Sequence, residues 1–395
     1  MSITFILFWV SFIVLFFCYI GYGFLLFLIN RLKKTIVLPK QQITSTEWPD
    51  VTLIIPAYNE SHILEEKISN TLAIGYPADK LRVIIVTDGS TDGSDVIGRK
   101  YPQIEILHQK ERRGKLAAIN RAMLQVQSPI VLFSDANAML NKECIQQIVK
   151  HFSDPKTGGV AGEKKILDPR HTSAIGEAEG LYWKYESFMK QQDAGFNSIV
   201  GAAGELFAIR TGLFPRLNDN IILDDFVISM KVCLQGYKIR YEPRAFATEL
   251  PSASLEEEEK RKIRISAGAF QSIGYLRSAM NIFKYPALSF QYICRRLLRW
   301  TLCPSLLVVL LVTNMLIVTA GNFHPVYLAF LAIQVCFYLM AIVGSFVIRS
   351  GQKITSLTIP FYFVFMNYCL VKGFMRFIGH KQSVIWEKSQ RQAGE

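Results

Sequence analysis

Three runs in this chain place acids directly after stretches of apolar, β-branched sequence: Val83-Ile-Ile-Val-Thr-Asp88, Ile130-Val-Leu-Phe-Ser-Asp135 and Ile221-Ile-Leu223-Asp224-Asp225. Buried parallel strands read as unbroken apolar runs, and open α/β sheets bind ligands at the carboxyl ends of such strands. Carboxylates delivered there can hold nucleoside hydroxyls, bind a hard divalent cation that bridges a diphosphate, or take a proton from an attacking hydroxyl. Asp88 opens the turn Asp88-Gly-Ser-Thr-Asp92-Gly-Ser94, in which either acid can also serve as an Asx-turn or capping residue. Asp92 reads as structural, and Asp88, at the strand end, as the ligand. Asp135 can supply a metal ligand, and Asn137 adds a carbonyl oxygen or a hydrogen bond. Asp224 and Asp225 head a helix expected over Phe226–Leu234. Capping there competes with a role for Asp225 as general base.

Other short runs add to this set. Pro56-Ala57-Tyr58-Asn59-Glu60 follows the strand expected over Val51–Ile55 and offers backbone groups and an acid to a nucleobase or ribose. Helix capping by Asn59 explains the same residues equally well. Arg112-Arg113-Gly114-Lys115 precedes a helix starting near Leu116, and cations beside a glycine turn at a helix N-terminus suit a diphosphate. It is not a Walker loop, because Gln109 and Leu116 stand where that motif needs Gly and Ser/Thr. Gly201-Ala-Ala-Gly204-Glu205 would let an acceptor approach the backbone closely.

These residues need a scaffold, and the pattern from Glu47 to about Leu250 supplies one. Strands are expected at Val51–Ile55, Val83–Val86, Ile104–Leu107, Ile130–Phe133, Gly159–Ala161, Leu206–Ile209 and Ile239–Tyr241. Amphipathic helices, such as Glu60–Ala73 and Leu116–Gln125, lie between several of them. Such alternation implies an α/β domain with a largely parallel sheet.

Apolar sequence brackets this unit. Ile3 to Ile29 is almost unbroken, carries no charge before it and is followed by Arg31, Lys33 and Lys34, which favours a retained span over a cleaved signal. Its length exceeds the roughly 20 residues a crossing needs. Lys260–Trp300 is basic, aromatic and helical, as in an interface segment or a solvated linker. Leu302–Ala320, Tyr327–Ile348 and Leu357–Val371 are again apolar. The net charge of +12 is concentrated beside these segments, including Arg295, Arg296, Arg299, Arg349 and Lys353, which fits the positive-inside rule and argues against nucleic acid as a partner. Three simple crossings after a cytosolic domain would export a tail carrying Lys372, Arg376, Lys381, Lys388 and Arg391. An internal tail therefore requires the last segment to re-enter, or one segment to lie at the interface. The seven cysteines show no CxxC spacing, so neither a zinc site nor a redox motif is supported.

The ordered set PAYNE, TDGSTDGS, RRGK, SDAN, GAAGE and LDD, with the later basic-aromatic segment, resembles the family 2 inverting glycosyltransferases, and most of all their membrane-embedded polysaccharide synthases of cellulose, chitin, hyaluronan and poly-N-acetylglucosamine. The resemblance implies a GT-A (Rossmann-like) nucleotide-sugar domain over 35–255, an N-terminal transmembrane helix over 1–34, amphipathic interface helices over 256–300 and a C-terminal transmembrane region over 301–395. It implies a UDP-sugar donor with Mg²⁺ or Mn²⁺, held by Ala57, Tyr58, Glu60, Asp88, Lys115, Asp135 and Asn137, with Asp135 on the metal. Asp225 would be the base, with Asp224 beside it, and Gly204, Glu205, Arg261 and Arg264 would meet the acceptor. The family's Gln/Arg-x-x-Arg-Trp motif maps to Arg261-Lys-Ile-Arg264-Ile265. A second string, Arg296-Leu-Leu-Arg299-Trp300, reads as a membrane-interface anchor. Asn137, Leu223 and Ile265 depart from the family pattern, and the loss of tryptophan at 265 weakens the case for processive synthesis. The expected product is a polysaccharide or a lipid-linked glycan, made at the plasma or inner membrane by a multi-pass protein with a cytosolic catalytic domain. Membrane lipids and polysaccharide export proteins are its expected partners. Single addition to a lipid-phosphate carrier is the alternative, and a nucleotide-binding transporter or scaffold the rival of another class.

Overall fold

The structure, a computed structural model, describes residues 3–36, 48–167, 174–321, 323–352, 354–381 and 383. The side chains of 34–36 and 174 are outside that description. Lys353, Lys388 and Arg391, part of the basic pattern expected from sequence, also lie outside the described residues.

An eight-stranded sheet organises the α/β unit. Its strands are β1 Val51–Ala57, β2 Leu81–Asp88, β3 Ile104–Gln109, β4 Ile130–Phe133, β5 Met139–Leu140, β6 Thr157–Ile166, β7 Phe207–Arg210 and β8 Lys238–Glu249. They lie in the order β3-β2-β1-β4-β7-β6-β8-β5. The apolar runs form strands buried on both faces, as their lack of polar alternation predicts. Ile54, Ile84, Val131 and Phe133 face one core with the helices Lys115–Met123 and Asp224–Leu234. Leu53, Ile55, Val83 and Leu132 face a second core with Ser61–Leu72 and Cys144–Val149.

The half formed by β1 to β4 is parallel, as expected. The rest is mixed: β7 runs antiparallel to both β4 and β6, while β8 is parallel to β6. The reason lies in the preceding chain. The long helix Ala174–Phe196 and the segment after it return the chain to the edge where the other strands end, so β7 starts from that edge. Phe207 pairs with Phe133, which sets Gly204 and Glu205 beside Asp135.

Among the described residues, three helices are long and apolar enough to cross a membrane: Ile3–Lys33, Pro325–Arg349 and Thr355–Ile378. A fourth candidate is the pair Pro286–Thr301 and Cys303–Thr319, bent by 60°. The first helix is anchored at its C-terminal end to the α/β unit, where Asn30 donates to the Gln192 carbonyl (2.8 Å) and Lys33 to that of Phe196 (3.0 Å). Its other end packs through Phe8 and Phe12 against Tyr327 and Phe330. The last apolar helix differs. Thr355 at its start donates to Glu177 (2.5 Å), and Lys372 near its end pairs with Glu259 (2.8 Å), so both ends touch the α/β side. Between those contacts it packs against the amphipathic helix Leu255–Tyr275, whose Ser266 and Ala267 abut Gly373.

Candidate active site

The loops after β1 and β2 brace each other. Asn59 sits at φ 52°, and its side-chain oxygen accepts from the Thr91 amide (2.9 Å) instead of capping the next helix. Glu60 holds the N-cap position and makes no side-chain cap, which corrects the expectation for Asn59. Asp92 supplies the missing acceptor from across the gap: its carboxylate takes the Ser61 amide (2.9 Å) and the Ser94 amide and hydroxyl. Burial opposes its ionisation, but these bonds outweigh burial and hold the carboxyl at about 2. Asp88 also points inward. Buried to 1 %, it accepts the Arg113 amide (3.1 Å) and the Gly114 amide (2.7 Å), and so ties the cationic loop to the sheet. Neither Asp88 nor Ala57 lines the site cavity, whereas Tyr58 and Glu60 do. Gly89 permits the loop's approach: at φ 70°, its missing Cβ would lie 2.7 Å from Arg112 Cβ. The Arg112 guanidinium in turn lies 3.5 Å from the centre of the Tyr58 ring.

The acids converge on one glycine. A Cβ on Gly204 would lie 2.8 Å from Lys115 Nζ and 3.3 Å from both Asp135 Oδ2 and Asp225 Oδ2. Lys115 pairs with Asp135 Oδ1 at 2.5 Å and lies 4.0 Å from Asp224 Oδ2. That Asp224 oxygen is buried with no hydrogen-bond partner among the described residues. Burial and the neighbouring Asp224 charge push the Asp225 carboxyl up to about 7, against the pull of Lys115. Such a group ionises near neutrality and suits a general base. Arg264 is drawn into the same field, facing Asp224, Asp135 and Asp225.

Asp135 is held from below by a residue that sequence reading passed over. Lys67, fully buried on the helix Ser61–Leu72, donates to Ser134 Oγ (2.8 Å) and to the Ala138 carbonyl (2.5 Å), clamping both ends of the Asp135–Asn137 turn.

A cavity of about 1360 Å³ joins this cluster to the apolar helices. At one end it is lined by Tyr58, Asp135, Asn137 and Asp225, and at the other by Tyr19, Ile20, Phe363 and Leu370. Glu205 is in its wall, paired with Lys164 (2.5 Å), which also pairs with Glu249 (2.7 Å). Arg261 lines the cavity but is fixed by Glu179 (2.6 Å) and Glu258 (2.8 Å). The string assigned from sequence to a membrane anchor belongs here instead. Arg296, Arg299 and Trp300 line the cavity; Arg296 pairs with the buried Glu186 (3.1 Å), and Trp300 sits edge-on to Phe226, next to Asp225. Sequence reading also missed the long helix's contribution. Trp183, Glu186, Lys190 and Asp193 recur at helical spacing, a polar stripe on a face that would otherwise be apolar.

Comparison with known proteins agrees with this geometry. The glycosyl transferase family 2 model matches residues 52–216. The poly-β-1,6-N-acetyl-D-glucosamine synthase of Staphylococcus aureus is 27% identical over 245 residues, covering 59% of this chain and 57% of that protein. The synthase of Staphylococcus epidermidis is 26% identical over 252 residues, covering 60% and 58%. The matches thus span under two thirds of these relatives' length. Among solved structures, a mannosyltransferase from Pyrobaculum calidifontis, in complex with GDP-Man and Mn²⁺, superposes with a TM-score of 0.69 at 22% identity over 94% of this chain and 99% of that one. The chain has the GT-A fold of that mannosyltransferase. Over residues 52–216 it is similar to the family 2 glycosyl transferases, and over part of its length to poly-β-1,6-N-acetyl-D-glucosamine synthases.

Proposed function

We propose that the protein is a membrane-bound inverting glycosyltransferase that moves a sugar from a nucleotide-sugar donor, UDP-linked, to a glycan acceptor at the membrane. The observation that carries this is the single cavity running from Lys115, Asp135 and Asp225 to the apolar helices. Asp225 takes the proton of the acceptor hydroxyl as its oxygen bonds to the anomeric carbon. The bond from that carbon to the diphosphate breaks on the opposite face. Lys115 and Arg264 offset the charge that develops on the departing diphosphate. The nucleoside lies over Tyr58 and Glu60, with Asp88 acting through the loop it holds.

The donor set fits Mg²⁺ or Mn²⁺. Asp135 and Asn137 offer hard oxygens, and the buried Asp224 oxygen has no hydrogen-bond partner among the described residues. Such ions bind through one or two carboxylates and complete their shell with phosphates and water. The ion, when bound at Asp135, would share the diphosphate charge.

In this reading the first helix, Cys303–Thr319 and Pro325–Arg349 cross the membrane, and Thr355–Ile378 lies along the interface. Contacts at both its ends support that placement. The basic tail then stays with the cytosolic catalytic unit of a multi-pass plasma or inner membrane protein. Lipids surround the spans, and an export protein would receive a polymeric product.

The test is nucleoside diphosphate release by the chain in membranes supplied with UDP-glucose, UDP-N-acetylglucosamine, UDP-galactose, UDP-glucuronate or GDP-mannose and Mn²⁺. Release from one donor, lost with EDTA and in Asp225→Asn, is expected. Full activity in Asp225→Asn would sink the assignment of the base.

A further inference from the structure

The helix Leu255–Tyr275 grips the segment that delivers Asp224 and Asp225. Arg264, Gly268, Gln271 and Tyr275 recur at the i, i+4, i+7, i+11 spacing of one helix face. Arg264, at one end, lines the cavity beside the acids. A Cβ on Gly268 would lie 2.8 Å from both Ile222 Cγ2 and Leu223 Cγ, so the bare backbone there lets the segment come close. Gln271 then uses both ends of its amide. Its Oε1 accepts from the Ile222 amide (3.0 Å), and its Nε2 donates to the Asn220 carbonyl (2.7 Å). The Tyr275 hydroxyl adds a bond to Asn220 Oδ1 (2.8 Å).

Irregular backbone has no ladder to satisfy it and must find side chains or water. Among the described residues, no other hydrogen bond reaches the main chain of residues 220–222. One glutamine, carrying an acceptor and a donor on a planar amide, thus fixes the two peptide groups that precede the acids. Its own helix is held from the opposite side, where Phe270 meets Phe374 (4.9 Å between ring centres) and Ser266 and Ala267 abut Gly373. Upstream, Asp219 ties the start of the segment to the cationic loop through Arg113 (3.0 Å) and to the next helix through Asn120 (2.9 Å). Gln271 stands behind the cavity wall and not in it, so it acts on the reaction only through what it holds. Asp135 is held separately, by the Lys67 clamp. Resting on the transferase reading above, we propose that Gln271 is a positioning residue: by fixing the Ile222 amide and the Asn220 carbonyl it keeps Asp225 aimed at the attacking hydroxyl, independently of donor binding.

The test uses the purified full chain in lipid vesicles with its active donor and Mn²⁺. Gln271→Met keeps the length of the side chain and removes both hydrogen bonds, whereas Gln271→Glu keeps an oxygen for the Ile222 amide. In Gln271→Met, kcat for nucleoside diphosphate release should fall roughly 10- to 100-fold, the scale set by a misplacement near 1 Å, with donor KM within about twofold of wild type. Gln271→Glu should recover part of the kcat. Amide hydrogen exchange over residues 220–226 should quicken about 10-fold in Gln271→Met, as for the loss of one hydrogen bond, with Lys115–Met123 unchanged. A glutamine that only stabilised the fold would lower Tm, measured on the same samples, and leave kcat of the folded enzyme alone. A Gln271→Met kcat within about twofold of wild type overturns the positioning role. So does a rise in donor KM as large as the fall in kcat, which would mark a general loosening of the site. Both results leave the transferase reading standing. Absence of release by the wild type from every donor overturns that reading, and the role of Gln271 with it.

Discussion

Gly204→Ala tests the convergence of the site with a single methyl group. The position has no left-handed backbone angle, so the effect is steric alone. The new Cβ would start 2.8 Å from Lys115 Nζ and 3.3 Å from the Oδ2 atoms of Asp135 and Asp225, whereas ordinary contact begins at 3.4 Å. Lys115 gives way first, being the far end of a flexible chain, and its 2.5 Å bond to Asp135 opens. The cluster borders a cavity, so the strain relaxes outward and the fold loses about 1 kcal/mol, the low end for overpacking. Catalysis responds more, because a misplacement of about 1 Å costs on the order of 100-fold. A fall in kcat of roughly 10- to 100-fold is expected, since the shift is smaller than that. The assay is steady-state nucleoside diphosphate release, with Tm measured on the same sample. Gly212→Ala is the control, since nothing lies within 4 Å of its missing Cβ. A folded Gly204→Ala enzyme with kcat within about twofold of wild type would refute the placement of the reaction at this glycine.

Three other outcomes follow from the site. Asp225 must be ionised to accept a proton, and its carboxyl titrates at about 7, so kcat/KM should fall as pH drops through neutrality and level off above it; a flat profile from acid to neutral pH argues against it as the base. Lys67→Met leaves the Ala138 carbonyl and the Ser134 hydroxyl without their donor, so about 2 kcal/mol or more of stability should be lost; with the turn loosened, the Mn²⁺ concentration for half-maximal activity should rise, and an unchanged value would dismiss the clamp. Glu186→Gln strips the countercharge from Arg296 (3.1 Å) and Arg299 (3.5 Å) and leaves Arg295 (3.0 Å) with Asp193 alone, which should cost about 3 kcal/mol or more in thermal unfolding, as for other broken buried pairs.

Much of the scaffold was legible because its strands are buried on both faces. Unbroken runs such as Val83–Val86 and Ile130–Phe133 admit few other readings, and each is followed by an acid at the sheet edge. The direction of β7 was not legible, since Phe207–Arg210 is the same short apolar run whichever way it lies. The Arg296–Trp300 string misled for a related reason. Basic and aromatic residues next to an apolar segment look alike whether they face lipid headgroups or a protein cavity, and here the pairing of Arg296 with Glu186 and the contact of Trp300 with Phe226 show which. Lys67 stood out in no motif, because its partners, the Ser134 hydroxyl and the Ala138 carbonyl, lie far along the chain. Asp88 was correctly placed at a strand end, but which way its carboxylate turned depended on amides of a loop 25 residues later.

The cavity's apolar end is closed by residues from opposite ends of the polypeptide: Tyr19 in the first helix donates to Asn367 in the last (3.0 Å), and its ring meets Phe363 edge-on. Two segments 348 residues apart must therefore meet before this end of the cavity is enclosed, so its shape is set by tertiary packing and by neither helix alone.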